Sequence, residues 1–177
     1  LPSDGVFTDE DHKATHAPMH NVYGHLMSKA TYEGLKEQTG KRPFVITRAC
    51  YAGSQKYTTV WTGDNQSLWS HLQMAVPQLC NLGLSGLAFA GTDVGGFGAD
   101  CTAELLCRWV QVGAFSPLFR NHSSNGSIYQ EPWQFGEKTV NIYRKFVELR
   151  YRLLPYLYDL FAQCEKTGIP IMRPRVL

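Results

Sequence analysis

The sequence predicts an α/β fold built on a parallel sheet. Helical and strand patterns alternate along the chain, the strand patterns are short and almost wholly apolar, and polar residues follow directly after several of them. Short apolar strands that alternate with helices are typical of parallel sheets covered on both faces. Barrels and open sheets of this class place their active sites at the carboxyl ends of the strands.

The first half of the chain predicts two helices and two strands. Apolar residues recur at helical spacing over 19–30, and Gly40 marks the end of that helix. Segments 43–47 and 57–61 predict strands because they are short and rich in β-branched and aromatic residues. Helical spacing returns over 68–79.

The second half continues the alternation. A buried strand is predicted over 84–90, and Asp100 is the predicted N-cap of the following helix. An irregular stretch over 115–133 precedes a long helix over 140–161. The last segment, 169–172, predicts another short strand.

The number of strands limits the architecture. Four or five strand candidates are too few for a closed eight-stranded barrel, which needs at least about 200 residues. We therefore expect one domain, residues 1–177, that forms an incomplete barrel. The chain begins with Leu1 and not with Met, which favours a segment of a longer polypeptide.

Charge and composition exclude several classes of partner. The net charge of +2 arises from 17 basic and 15 acidic residues spread along the chain, so we expect no nucleic acid and no membrane as a partner. No apolar stretch approaches the roughly 20 residues of a spanning helix, and no signal-peptide pattern is visible, which favours a cytoplasmic protein. The five cysteines show no Cys-x-x-Cys spacing and are expected to be reduced and buried.

The first candidate site is Trp61-Thr62-Gly63-Asp64-Asn65, where a carboxylate follows a glycine turn beside an indole. Aromatic neighbours that desolvated Asp64 would raise its pKa and suit it to protonate a glycosidic oxygen. Alternatively, Asp64 or Asn65 caps the helix that begins near Ser67. The spacing alone leaves both interpretations open.

The second candidate site is the glycine-rich segment 91–98, which carries Asp93 just after a predicted strand. An acid there can accept hydrogen bonds from substrate hydroxyls. The segment 96–101 also resembles a dinucleotide-binding loop, which would indicate a nicotinamide-dependent oxidoreductase. Against this, Cys101 occupies the third small position, and 118–122 supplies no acidic residue for a ribose hydroxyl.

The third candidate site is the loop 119–122, which combines an arginine, an asparagine and a histidine suited to gripping vicinal hydroxyls. The alternative is an arginine that bridges loops and a structural histidine. Trp61 and Phe97 are the aromatic residues beside the strand-end polar groups, so they are the expected sugar-stacking contacts.

Three histidines spaced by four residues invite a metal interpretation, because residues at that spacing share a helix face. They are His12, His16 and His20. Pro18 lies among them and no His-Glu-x-x-His pattern is present, so solvated or capping histidines are the preferred interpretation.

Taken together, several segments resemble glycoside hydrolase family 31, the α-glucosidases and α-xylosidases. The resemblance is carried in order by His20-Asn21-Val22-Tyr23-Gly24, Arg42-Pro43-Phe44-Val45-Ile46-Thr47-Arg48, Trp61-Thr62-Gly63-Asp64-Asn65, Gly91-Thr92-Asp93-Val94-Gly95-Gly96-Phe97 and Phe115-Ser116-Pro117-Leu118-Phe119-Arg120-Asn121-His122. It covers essentially the whole chain. The resemblance implies a (β/α)8 TIM barrel of which the chain forms the second half.

The resemblance also implies roles for individual residues. Asp64 corresponds to the general acid/base of a retaining, double-displacement hydrolase of terminal α-linked glucose. The residues implied to bind the sugar by hydrogen bonds are Arg48, Asp93 and His122, and those implied to form its apolar walls are Trp61 and Phe97. Arg120 and Asn121 are expected to support their loop.

The family nucleophile is the aspartate of a Trp-x-Asp-Met-Asn-Glu segment, which would lie before Leu1. Asp4 and Asp9 lack that motif. We therefore expect the isolated chain to be inactive and to need the remainder of its parent polypeptide as a partner. The implied substrate is an α-glucoside oligosaccharide, with no metal or organic cofactor. The alternatives are an α-xylosidase of the same family and a non-catalytic carbohydrate-binding remnant.

Overall fold

The computed structural model describes residues 1–9 and 12–176, with the side chains of Asp9 and His12 excepted. The chain divides into two compact units, Leu1–Val60 and Trp61–Leu177. Among the described residues no helix is long and apolar enough to cross a membrane.

The first unit begins with a hairpin that the sequence did not predict. Strand β1 (Val6–Asp9) pairs antiparallel with β2 (His12–Thr15), and α1 (His16–Thr39) follows directly. Helix α1 ends as predicted at Gly40, which adopts a left-handed conformation and donates its N–H to Lys36 O.

A parallel strand pair completes the first unit. Strand β3 (Ile46–Thr47) lies beside β4 (Thr59–Trp61), whose last residue belongs to the second unit. A single 3-10 turn, Ser54–Lys56, lies between them in sequence. Both strands fall inside the predicted segments and are parallel, which confirms the predicted α/β class, although each is shorter than expected.

The second unit contains the remaining helices and strands. In chain order these are α2 (Trp69–Leu84), β5 (Ala90–Gly91), β6 (Asp93–Val94), α3 (Ala103–Phe115), β7 (Arg120–Asn121), a 3-10 turn (Pro132–Phe135) and α4 (Glu137–Thr167). Strands β6 and β7 are parallel, with Asp93 opposite Arg120 and Val94 opposite Asn121.

Of the strands predicted in the second unit, the one over 84–90 is too long and the one over 169–172 is wrong. Helix α2 continues through Leu84, and Leu87 then donates its backbone N–H to Leu82 O at 2.8 Å, so this segment closes the helix and only β5 is extended. Residues 169–172 form no strand. Pro170 lacks a backbone donor and packs against Gly83 of α2, which explains the difference.

The predicted N-cap of α3 is also wrong. Thr102 is the N-cap, and its hydroxyl oxygen accepts the backbone N–H of Leu105 at 3.3 Å. Asp100 instead accepts the backbone N–H of Ile128 at 2.9 Å. Asp100 therefore anchors the loop after β7.

The core of the second unit lies around one face of α3. Its buried members are Val94, Cys101, Leu105, Leu106, Trp109 and Val110. The Trp109 indole N–H donates to the Thr92 hydroxyl at 2.8 Å in the interior. Because Thr92 and Val94 flank Asp93, this packing fixes the backbone that carries Asp93.

The segment between α3 and β7 is held by Arg150 of α4, a buried arginine. Its guanidinium donates to Ser116 O at 2.5 Å and to Pro117 O at 2.7 Å. A cation near a helix C-terminus compensates the free carbonyls there. This contact fixes where the chain turns toward β7. The five cysteines form no disulfide among the described residues. Cys101 and Cys107 are buried as expected, whereas Cys50, Cys80 and Cys164 are only partly buried.

Candidate active site

Asp93 and Arg120 form the central ion pair of the candidate site. The strand register places them opposite each other on β6 and β7. Arg120 donates from Nη2 to Asp93 Oδ1 at 2.5 Å and from Nε to the same oxygen at 3.1 Å. The Asp93 side chain is fully buried, whereas the Arg120 side chain retains 28% exposure.

The second oxygen of Asp93, Oδ2, is buried without a hydrogen-bond partner among the described residues. Burial raises the pKa of Asp93, and the neighbouring Arg120 and His122 oppose that shift while Asp64 adds to it. Asp64 and His122 are thus each close enough to Asp93 to act on it electrostatically. Within the described part of the chain this carboxylate oxygen is an acceptor left unsatisfied.

The segment 61–65 forms a tight turn that leaves Asp64 exposed. Asn65 is buried, accepts the hydroxyl hydrogen of Thr62 at Oδ1 and donates its backbone N–H to Gly63 O at 3.0 Å. The expected desolvation of Asp64 by aromatic neighbours is not found, because this turn carries its side chain to the surface. The alternative of a helix cap is also wrong, because the N-cap of α2 is Leu68 and no side chain caps it.

Trp61 lies beneath Arg120. The guanidinium carbon is 5.1 Å from the centre of the indole ring, a cation–π arrangement. The ring is half-buried, and its N–H has no hydrogen-bond partner among the described residues. Trp61 therefore supports the arginine that holds Asp93, in addition to its predicted role as an apolar wall.

Phe97 and His122 lie side by side, with ring centres 5.4 Å apart and planes tilted by 32°. Phe97 is half-buried and His122 is exposed. The backbone N–H of Ser124 donates to Phe97 O at 2.8 Å, which ties the loop after His122 to this wall. The structure thus brings together two residues predicted from separate segments, in an arrangement that offers an apolar face beside a polar group.

Arg48, the remaining predicted sugar contact, belongs to the first unit. It directly follows β3 and its side chain is exposed. In the same unit, His20 Nδ1 lies 3.2 Å from His16 Nε2, whereas the side chain of His12 lies outside the described residues. Within the described part of the chain no group of three or more His, Cys, Asp or Glu could hold a metal ion.

The glycine-rich segment does not open a helix as a dinucleotide-binding loop does. Phe97 and Gly98 both donate their backbone N–H groups to Asn65 O, at 2.6 and 3.1 Å, and Gly98 forms a parallel bridge with Gln66. Helix α3 begins only at Ala103. The segment therefore serves to join Phe97 to the turn that bears Asp64.

Gln130 is a buried residue of this site that no sequence pattern predicted. Its Nε2 donates to Val94 O at 2.7 Å and to Asn121 Oδ1 at 3.0 Å, and Asn121 Nδ2 donates in return to Gln130 O at 2.9 Å. Asn121 thereby supports its loop, as expected. Gln130 lies in the stretch predicted to be irregular, where no periodicity marks a residue as buried.

The fold and the site together define a class of protein. Asp64 lies three residues after β4 and is exposed, whereas Asp93 begins β6 and is bound to an arginine. Aromatic rings and a histidine lie beside this pair. Carboxylates perform the acid/base work of glycoside hydrolases, and aromatic faces stack on sugar rings. These are the residue types that a carbohydrate site of an α/β protein would use.

Comparison with known proteins agrees with this class. The sequence model of the glycosyl hydrolases family 31 TIM-barrel domain matches residues 2–160. The chain therefore belongs to glycosyl hydrolases family 31 and forms part of its TIM-barrel domain. This confirms both the resemblance and the predicted incomplete barrel.

Similar proteins include alpha-glucosidase 2 of Bacillus thermoamyloliquefaciens, 58% identical over 161 residues that make up 90% of this chain and 20% of the relative. A probable glucan 1,3-alpha-glucosidase of Oryza sativa subsp. japonica is 46% identical over 98% of this chain and 19% of its own length. The crystal structure of a family 31 alpha-glucosidase from Bacteroides thetaiotaomicron is 44% identical with a TM-score of 0.86, over 97% of this chain and 29% of that one. The chain thus spans about a fifth of the curated relatives it matches.

Proposed function

We propose that the polypeptide carrying this chain hydrolyses terminal α-linked glucose from oligosaccharides with retention of configuration. The observation that carries the proposal is an exposed carboxylate, Asp64, close enough to the buried Asp93–Arg120 ion pair to act on Asp93, in a chain of the family 31 barrel domain. Alpha-glucosidase is also the activity named for the similar proteins.

Asp64 is assigned as the general acid/base. Its exposure leaves the carboxyl accessible both to the oxygen of a leaving group and to the water that follows. A retaining mechanism requires a second carboxylate about 5 to 5.5 Å away as the nucleophile. Asp93 does not suit that role, because it is fully buried and one of its oxygens accepts both hydrogen bonds of Arg120. We therefore place the nucleophile outside this chain.

The sugar in the cleaved subsite is held by the remaining groups. Asp93 offers its unsatisfied Oδ2 to a sugar hydroxyl, and His122 offers a ring nitrogen beside it. Phe97 supplies an apolar face next to His122. Trp61 supplies a second apolar face, and the guanidinium of Arg120 lies over its ring. Arg48, which the family resemblance implies as a sugar contact, stays a predicted donor to a sugar hydroxyl.

The test is hydrolysis of an aryl α-glucoside by the complete polypeptide, with the first-formed anomer identified by NMR and residues 1–177 alone as the comparison. We expect α-glucose first and no turnover by residues 1–177 alone, which lack the nucleophile. β-Glucose first would show an inverting mechanism and contradict the proposal. A faster reaction with the aryl α-xyloside would make the protein an α-xylosidase, and sugar binding without hydrolysis would make it a carbohydrate-binding remnant.

A further inference from the structure

Gln130 connects the two strand ends that carry the sugar-binding groups. Its side chain is only 4% exposed, and the three groups around its Nε2 are all acceptors: Val94 O at 2.7 Å, Asn121 Oδ1 at 3.0 Å and Gly96 O at 3.2 Å. An amide N–H2 group can donate to such a set, and a carboxylate cannot. The end of β6 is thereby bound to the end of β7 through one side chain.

The turn that follows β6 packs closely against this side chain. Gly95 and Gly96 have φ angles of 94° and 93°, a region that favours glycine. A Cβ on Gly95 would collide with the Gln130 amide, and a Cβ on Gly96 would lie 2.5 Å from Ser67 N. The turn is therefore packed between Gln130 on one side and Ser67, which precedes α2, on the other.

This turn positions Phe97, the residue expected to form an apolar wall of the site. Phe97 comes directly after Gly96, donates its backbone N–H to Asn65 O at 2.6 Å and places its ring 5.4 Å from the ring of His122. Asn65 is the neighbour of Asp64. A displacement of the turn would therefore move Phe97 and the turn that bears Asp64 relative to Asp93.

We propose that Gln130 is a positioning residue of the active site, which binds the carbonyls of Val94 and Gly96 to Asn121 and so fixes Phe97 and Asp64 relative to Asp93. The effect of Gln130 on catalysis rests on the proposed glucosidase function. The effect of Gln130 on the turn at Gly95 and Gly96 is independent of that function.

The kinetic test compares variants of the complete polypeptide on an aryl α-glucoside. Gln130→Met keeps the volume but removes the donors, and we expect kcat/KM to fall about tenfold, the usual effect of losing one or two buried hydrogen bonds. Gln134→Met changes an exposed glutamine four residues away and should stay within twofold of wild type. Leu157→Ala, which truncates a buried leucine of α4 outside the cluster around Val94, serves as a variant of lowered thermal stability. If Leu157→Ala loses as much activity as Gln130→Met at equal stability, Gln130 has only a structural role and the proposal fails.

Gln130→Glu adds a readout that a purely structural role would not move. The new carboxyl would face three oxygens in a buried position, which favours its protonated form, and that form can donate one hydrogen bond. We expect kcat/KM of Gln130→Glu relative to wild type to rise as the pH falls. A ratio independent of pH, while thermal stability does depend on pH, would contradict the proposal.

Amide hydrogen exchange separates this proposal from the proposed function. The N–H groups of Gly96, Phe97 and Gly98 are bonded to Asp93 O and Asn65 O, so a loosened turn should exchange them faster in Gln130→Met than in Gln134→Met. Faster exchange without any glucosidase activity in wild type would refute the proposed function and retain Gln130 as the residue that holds the turn. Unchanged exchange together with kcat/KM within twofold of wild type would overturn the proposal for Gln130.

Discussion

Asp93 and Arg120 lie opposite each other on neighbouring parallel strands and form an ion pair 2.5 Å long whose acidic member is fully buried. The arginine is held in turn by the face of Trp61 beneath it. A charge of this kind is tolerated inside a protein only when a partner compensates it. Loss of one partner is therefore expected to be costly, and the pair fixes the orientation of the Asp93 carboxylate.

The first prediction concerns the strength of this pair. Asp93→Ala should lower the free energy of unfolding by about 3 kcal/mol, because removal of one partner leaves the other charge uncompensated. The value lies at the low end for buried pairs since the Arg120 side chain keeps 28% exposure. Glu104→Ala, which removes the exposed 3.7 Å pair with Arg108, should cost less than about 1 kcal/mol. Urea denaturation measures both, and equal losses would show that burial does not distinguish the two pairs.

The second prediction concerns pH. Burial raises the pKa of Asp93, and Arg120 opposes the shift without cancelling it. The unfolded chain therefore loses this proton at a lower pH than the folded chain. The proton-linked part of the contribution of Asp93 to stability is fully present below the ordinary aspartate pKa and is lost as the pH rises through the raised one, whereas the contact with Arg120 remains. Asp93→Asn cannot titrate. The unfolding free energy of wild type minus that of Asp93→Asn should fall with rising pH across this window, and a difference that increases with pH would contradict the direction of the shift.

The third prediction uses two helical glycines with different surroundings. In α1, a Cβ added to Gly34 would meet nothing within 4 Å, so Gly34→Ala should stabilise the protein by roughly 0.5–1 kcal/mol through helix propensity. In α3, a Cβ on Gly113 would lie 2.5 Å from Val94 Cγ2 and 3.0 Å from the ring of Phe119. Gly113→Ala should therefore destabilise the protein, by about 1–3 kcal/mol. The measurement is thermal denaturation. If both variants changed the melting temperature in the same direction, the packing described for α3 would be refuted.

Much of this architecture follows from local sequence patterns. Gly40 ends α1 because a glycine can take the left-handed conformation at that position, and Asp93 falls at a strand end because glycine and apolar residues around it specify the strand and its turn. The spacing of Leu105, Leu106, Trp109 and Val110 places these residues on one face of a helix, and all four are buried in α3.

The remaining features depend on contacts between distant segments, which local patterns do not contain. Asp100 satisfies the usual preference for an N-cap, yet it accepts a hydrogen bond from Ile128 N across the loop and leaves the cap to Thr102. Gln130 is recognisable only once β6 and β7 are side by side, because its partners lie on both strands. The hairpin of β1 and β2 joins two four-residue segments too short to show a periodicity.

The fourth prediction concerns the sugar contacts in the complete polypeptide. His122→Ala and Arg48→Ala should each lower kcat/KM for glucosides more than tenfold, because a hydrogen bond to a charged group contributes about 1.5–3 kcal/mol. Both side chains are exposed, so folding should be unaffected. Arg108→Ala, at a side chain with 57% exposure on α3, is the matched control and should leave the kinetics unchanged. Values within twofold of wild type for both His122→Ala and Arg48→Ala would place the sugar elsewhere.

The central claim is that Asp64 is the general acid/base, and Asp64→Ala in the complete polypeptide tests it. Natural sugar leaving groups need a proton, so their hydrolysis should be severely slowed, whereas activated aryl glucosides should suffer less. The covalent intermediate should then persist, because no base remains to activate water. Azide needs no deprotonation and should accelerate turnover by reacting with that intermediate.

The most direct measurement is therefore the anomeric configuration of the azide product, read by NMR after reaction of Asp64→Ala with an aryl α-glucoside and azide. Two successive inversions predict the α-glucosyl azide. If Asp64 were the nucleophile, a single inversion would give the β-glucosyl azide. Formation of that β product, or near wild-type activity of Asp64→Ala on maltose, would contradict the assignment of Asp64 as the acid/base.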